Sequence, residues 1–270
     1  MHSQLFQCFQ HLKSNSKLIT PELIKADYLG EGGNNKSLQN LIEYHTRKTE
    51  KILAPGTIRN FEVTQGYIYR YITKKLKTSD IYLKELDYKF ICDFEDFLHR
   101  YWPKGHMRAM SHNTVMKHIQ RFRKIATLGY HLEWIDRDPF VRWKPTYEKR
   151  ERPYLTENEL SNIETYPFQI ERLDRVRDLF VFSCYTGISY SDIIKLSYSN
   201  ISKGIDGNDW IFTSRQKTKS PVKVPILAKA QELIHKYQNH PMTMITETLF
   251  PVITNDNVTL YLPEFVKPVE

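Results

Sequence analysis

Between Ser37 and Trp134 the apolar residues return at intervals of three and four, the period of helices that each lay one face on a shared core. Leu38, Leu41 and Ile42 mark a first helix, and Thr57 to Leu76 a second, with Ile58, Phe61, Ile68, Tyr71 and Ile72 on one side. Asp80 to Leu86 reads as a capped turn. Asp87 then opens a third helix whose stripe is Phe90, Phe94, Phe97 and Leu98. The fourth, Asn113 to Glu133, sets the apolar stripe Val115, Ile119, Phe122 and Ala126 beside a basic one, Lys117, Arg121 and Lys124. Strands cannot carry that period. The segment must be a four-helix unit with one strongly cationic helix.

The flanks read differently. Leu5, Phe6, Phe9 and Leu12 recur at helical spacing, and Thr20-Pro21-Glu22 is a helix start, so residues 1–35 form a helical lead-in that ends in the loop Gly30–Asn35. Asp138-Pro139-Phe140 closes the four-helix unit (36–143), and the basic run Lys144 to Arg152 reads as an exposed linker, assigned to 144–153. The remainder, 154–270, mixes elements. Thr156-x-x-Glu159 is a capping box, Arg177 to Tyr185 is a buried helix stopped at Gly187, and Ser191-Asp192 starts a short helix. Trp210-Ile211-Phe212 and Val222-Lys223-Val224-Pro225 flank a lysine-rich turn as a hairpin. Leu227 to Tyr237 is helical, Thr248 to Pro251 is extended, and a further element barely starts within 255–266.

Charge separates the same two parts. Of a net +8, residues 1–150 hold 26 Lys and Arg against 16 Asp and Glu, and residues 151–270 hold 13 against 15. A surplus of +10 in the first part suits a polyanion, most simply nucleic acid; evenly solvated helix faces would give the same count. Asn113 and Thr114 at the start of the cationic helix, and Thr57, Arg59 and Asn60 at the start of the second, add donors that suit phosphates and base edges of duplex DNA. Cys8, Cys92 and Cys184 have no metal or redox spacing and read as reduced core residues, so neither metal nor cofactor is expected. No apolar run is long enough to span a bilayer and the N-terminus lacks a signal peptide's regions, which makes a cytoplasmic protein without membrane contact the expectation.

One further set of residues carries a family resemblance. Thr186-Gly187-Ile188-Ser189-Tyr190-Ser191-Asp192, followed by Lys217 in the hairpin, resembles the first half of the catalytic domain of tyrosine recombinases (phage integrases). There the first stretch usually reads Thr-Gly-Leu-Arg-x-x-Glu. Leu53-Ala54-Pro55-Gly56-Thr57, Asn113-Thr114, Asp138-Pro139-Phe140 and Tyr154-Leu155-Thr156-x-x-Glu159-Leu160 follow in the order seen in integrases of conjugative transposons. The resemblance implies a mainly α protein: a four-helix SAM-like core-binding domain, then an α+β catalytic domain with a β-hairpin. It implies double-stranded DNA as partner, with self or an intact integrase on the same DNA.

The resemblance also implies site roles. Lys217 matches the hairpin lysine that acts as general acid, with Lys219 a rival, Asp192 matches the acid that orients the site, and Arg215 and Thr218 flank the lysine against DNA. Ser189 stands where most members have arginine and brings no charge. No His-x-x-Arg follows the hairpin; His118-x-x-Arg121 lies upstream and reads as chance, and Tyr261 is not expected to be the nucleophile. The expectation is therefore an incomplete catalytic domain that binds DNA without cutting it. The alternatives are a site-occupying regulator or antagonist of an intact integrase, or a non-functional gene fragment.

Overall fold

The computed structural model describes residues 2–14, 19–28, 36–102, 105 and 108–254. The loop expected at Gly30–Asn35, the element expected within 255–266 and Tyr261 lie outside them. The chain divides into two compact units, Met1–Arg150 and Glu151–Glu270.

In the first unit, α1 (His2–Ser14) and α2 (Pro21–Tyr28) form the lead-in, where Leu12, Ile24 and Tyr82 pack together. Then come α3 (Leu38–Thr49), α4 (Pro55–Tyr71), α5 (Tyr88–Arg100) and α6 (His112–His131). The starts follow the sequence signals. Ser37 caps α3 in a reciprocal box with Asn40, Pro55 takes the first position of α4, and the Asp87 carboxylate accepts from the Phe90 amide at 2.7 Å. The second helix does not run on as α-helix to Leu76. It loosens into a π-helical turn, Ile72–Leu76, and stops at Lys77, whose φ of 58° is left-handed.

All four residues of the expected α5 stripe and all four of the α6 stripe are buried. Their rings meet edge to face: Phe94 on Phe122, Phe122 on Phe140, and Phe140 on Trp143, with centroids 5.6, 5.6 and 5.9 Å apart. Phe140 thus closes the core from outside the four helices. Gly129 leaves room here: a Cβ would stand 2.7 Å from Leu41 Cδ2 and 3.0 Å from Ile135 Cδ1, so a larger residue would make those buried side chains shift. Asp80 is buried but accepts from the Gln39 and Ile81 amides, which fixes the turn (a 3-10 turn, Leu83–Glu85) against α3.

The second unit contains α7 (Glu157–Thr165), α8 (Glu171–Thr186) and α9 (Tyr190–Ile193), then β1 (Ile201–Lys203), β2 (Asp209–Ser214) and β3 (Pro221–Pro225), then α10 (Ala228–Tyr237) and α11 (Pro241–Thr246). The sheet is antiparallel in the order β1-β2-β3, with Ile211 facing Ile201 and Val224 across the ladders. Both β1 and α11 go beyond the elements expected from sequence. Phe182, Ile193, Ile211, Ile234, Leu249 and Phe250 belong to one apolar cluster, and the extended piece is held by the Leu249 amide on the Leu196 carbonyl at 2.7 Å.

An ion cluster sits inside this unit. Arg177 spans the Asp174 and Asp178 carboxylates and the Tyr166 carbonyl, while Asp178 also accepts from Lys236 at 2.6 Å and the Tyr237 hydroxyl at 2.8 Å. Burial, then the Asp178 charge and hydrogen bond, push the Tyr237 phenol far above its ordinary range. The cysteine expectation fails in part: Cys92 and Cys184 are exposed, not core residues.

Candidate nucleic-acid interface and hairpin site

The cationic face is built by α4 and α6, which lie side by side. The Thr64 hydroxyl is 2.8 Å from His118 Nδ1, and Tyr67 sets its ring edge against the same imidazole. Further along, His45 packs on Phe61 and feels the charge of Lys124. The chance string His118-x-x-Arg121 acquires a structural role, since His118 is the buried polar link between α4 and α6. Burial, then the Arg121 charge, lower its pKa to about 4, so the imidazole is neutral.

The basic stripe is not uniform. Lys117 and Lys124 are exposed, as are Thr57, Arg59 and Asn60 on the first turns of α4. Arg121 is half-buried, 3.5 Å from His118; burial pulls its pKa below the ordinary arginine value, with nearby Tyr147 acting the other way.

Asn113 and Thr114 are already engaged. Asn113 Nδ2 donates to the Glu148 carbonyl and its Oδ1 accepts from the Glu148 amide, both at 2.9 Å; Thr114 Oγ1 is 2.9 Å from Ser111 Oγ. The same stretch of linker is held again by His112 on the Thr146 carbonyl and by the Tyr147 hydroxyl on Gln120 Oε1 at 2.7 Å. Exposed though it is, the run after Lys144 is fastened along α6, and nothing in its composition signals that. Asn113 read from sequence is a helix-start residue; its partners lie 35 positions away.

In the second unit the glycine turn and the hairpin do come together. Gly187 ends α8 with a φ of 64°, the left-handed conformation that glycine adopts freely, and turns the chain so that Ser189 opens α9. Ser189 is exposed and its hydroxyl donates to Asp192 Oδ2 at 2.7 Å. Asp192 is buried, and its other oxygen accepts from the Gln216 amide at 2.9 Å. Burial pushes the carboxyl up, but the Gln216 amide, the Ser189 hydroxyl, Arg215 and Lys195 outweigh it and hold the pKa below the usual aspartate value. Asp192 is thus ionised and ties the start of α9 to the residue before Lys217.

Lys217 and Lys219 are both exposed, in the loop 215–220 between β2 and β3. The loop is closed by the Arg215 amide on the Ser220 carbonyl and the Lys219 amide on the Arg215 carbonyl. Neither lysine lies in a strand, so the alternation that would place both on one sheet face does not apply, and Lys219 has a left-handed φ of 57°. Arg215 and Thr218 are exposed in the same loop. Among the described residues no group of three or more His, Cys, Asp or Glu could hold a metal ion, and no helix is long and apolar enough to cross a membrane.

Residues 37–147 match the family described as phage integrase SAM-like domain. No curated protein sequence matches the chain. Among solved structures it is similar to a lambda integrase tetramer bound to a Holliday junction, with a TM-score of 0.65 and 14% identity over 88% of this chain and 65% of that one. A lambda integrase (75-356) dimer bound to a COC′ core site gives 0.64 and 14% over 87% and 82%. XerH recombinase bound to its difH substrate gives 0.53 and 13% over 98% and 78%. At these identities the likeness is one of fold, and the chain spans just under two thirds of the lambda integrase chain in the tetramer. The mainly helical fold with a small antiparallel sheet, expected from the sequence, is the one observed.

Proposed function

We propose that this chain, a tyrosine-recombinase relative whose residues 37–147 are a phage integrase SAM-like domain within an integrase fold, binds duplex DNA through the α4–α6 face of its first unit. The observation that carries the reading is the outward row Lys117 and Lys124, with Arg59 also exposed on the first turns of α4, on an otherwise apolar-cored helical unit with a surplus of +10. Surface cations of this kind neutralise phosphates and release counterions. The DNA-bound state of the lambda integrase and XerH structures is consistent with that use.

The second unit is proposed to sit on DNA without cutting it. Phosphoryl transfer to a tyrosine needs several donors and cations around the nonbridging oxygens and an acid for the leaving oxygen. Lys217, exposed at the loop, fits the acid, and Asp192 fits the residue that holds the loop in place. Ser189 supplies no charge, and its proton is already given to Asp192. A phosphate would gain little from it. Occupation of a recombination site without cleavage would make the chain an antagonist of an intact integrase.

Residues 1–270 should shift a labelled duplex in a gel, with affinity that falls steeply as salt rises, and should leave no denaturant-resistant protein–DNA band on a nicked suicide duplex. Absence of a shift at low salt overturns the binding reading. A covalent band that survives denaturant overturns the second part alone.

A further inference from the structure

Resting on that reading of α6 as a DNA-facing helix, we infer that Asn113 is a positioning residue: it fastens the segment Thr146–Glu148 along the edge of α6, so that Lys149 and Arg150 prolong the phosphate-binding row past the start of the helix.

The geometry is that of a strand pair made by a side chain. One amide group both donates to and accepts from the backbone of one residue, Glu148, as a neighbouring strand would. An amide so occupied cannot also make the bidentate contact to adenine N6 and N7 that asparagine makes in a major groove. The fastening is distributed along the helix. His112 and Asn113 at the first turn and Gln120 two turns on take Thr146, Glu148 and Tyr147 respectively, and Thr146 Oγ1 also reaches Met116 Sδ at 3.7 Å. At about 100° per residue these four α6 positions share one side of the helix, and Lys117 and Lys124 occupy the side next to it. Arg121 lies on the far flank of the lysines, toward His118 and α4, and also feels the Tyr147 phenol.

The cationic row is therefore flanked by α4 on one side and by the segment on the other. Glu148 is pinned at Asn113, on the first turn of α6 and one helical turn before Lys117, so the next two residues leave the fastened segment from that turn. Both are exposed; the contact of Arg150 with Glu148, at 3.7 Å between groups more than half exposed, is easily exchanged for a phosphate.

The test compares the unchanged chain, Asn113→Ala and the surface variant Lys149→Ala/Arg150→Ala on a mixed-sequence duplex. Two quantities are read: hydrogen-exchange protection of the Glu148 amide, and the slope of log affinity against log salt. Each phosphate contact contributes about 0.9 to that slope. Asn113→Ala should lose the Glu148 protection and flatten the slope by about 1 to 2, as far as the double surface variant does, and combining all three changes should cost nothing more. Intact slope or intact protection in Asn113→Ala overturns the inference, as does a full slope in the double variant, which is not expected to disturb the fold. A base-reading asparagine would instead leave both quantities unchanged and relax sequence preference. If the unchanged chain fails to bind any duplex, the parent reading falls and takes this one with it.

Discussion

The two units put charge to opposite uses. In the first, the buried rings of Phe94, Phe122 and Phe140 make an apolar core, and Arg59, Lys117 and Lys124 face outward without ion-pair partners among the described residues. In the second, Arg177 and Lys236 turn inward onto Asp174 and Asp178, and the balance of residues 151–270 is slightly acidic. Charge in one unit is left available to a partner. In the other it is consumed by the fold. A mean charge for the whole chain would hide that difference.

The comparison breaks most readily at Arg177. Removing it takes one of two cations from a mostly buried site and leaves Asp174 and Asp178 with Lys236, and Asp178 with the Tyr237 hydroxyl, so the cost should fall toward the lower end of the range of about 3–5 kcal/mol typical of breaking a buried pair. Urea unfolding of Arg177→Ala should show that loss in the second unit, with duplex binding unchanged at temperatures where the unit stays folded. A neutral outcome would mean that the inward cluster does not hold the unit together.

The next effect belongs to the first unit and to pH. His118 is neutral when folded, with a pKa lowered from 6.5 to about 4. Because the unfolded imidazole binds the proton more readily, stability is full above about 6.5 and falls as the pH drops toward 4, by up to about 1.4 kcal/mol per pH unit. Thermal melts between neutral and mildly acid pH should show the first unit weakening over that window, and His118→Gln should flatten its dependence. A flat profile in the unchanged chain would contradict a neutral buried link between α4 and α6.

Asp192 sharpens the contrast within the second unit, since its charge serves a loop, not the core. Asp192→Ala leaves the Gln216 amide without its acceptor, a loss of about 1–3 kcal/mol locally. Faster hydrogen exchange at Gln216 with little change in global unfolding is the expected result; unchanged exchange would separate α9 from the hairpin. The smallest effect is the Ser37 cap of α3, where Ser37→Ala should lower the stability of the first unit by about 1 kcal/mol in the same urea experiment.

What the sequence made legible was local. Apolar stripes at helical period, the caps at Ser37, Asp87 and Thr156, and the stop at Gly187 all depend on residues within one or two turns of one another, and those elements appear where expected. The contacts that assemble the candidate sites are long-range. Asn113 meets Glu148 across 35 positions, and Asp192 meets the Gln216 amide across 24. No periodicity encodes them. Two signals were present yet easy to misread. Arg177-Asp178 inside the apolar run from Val176 to Phe182 announces a buried ion pair, and His118 on the edge of an apolar stripe announces a core histidine, not a basic surface residue. Exposed Cys92 and Cys184 are the reverse case, apolar in sequence context and turned outward in the fold.

Salt dependence of duplex binding separates the α4–α6 face from net charge alone. Affinity of residues 1–270 is measured across salt concentrations beside two triple variants, Lys117→Ala/Arg121→Ala/Lys124→Ala in the first unit and Lys203→Ala/Lys223→Ala/Lys229→Ala in the second. Both remove three positive charges. The first triple change should weaken binding and flatten the slope by about 2 to 3, with the half-buried Arg121 contributing least, while the second should leave the slope nearly unchanged. Equal slopes for the two variants would mean that net charge alone draws the DNA, and the α4–α6 face would lose its claim to be the interface.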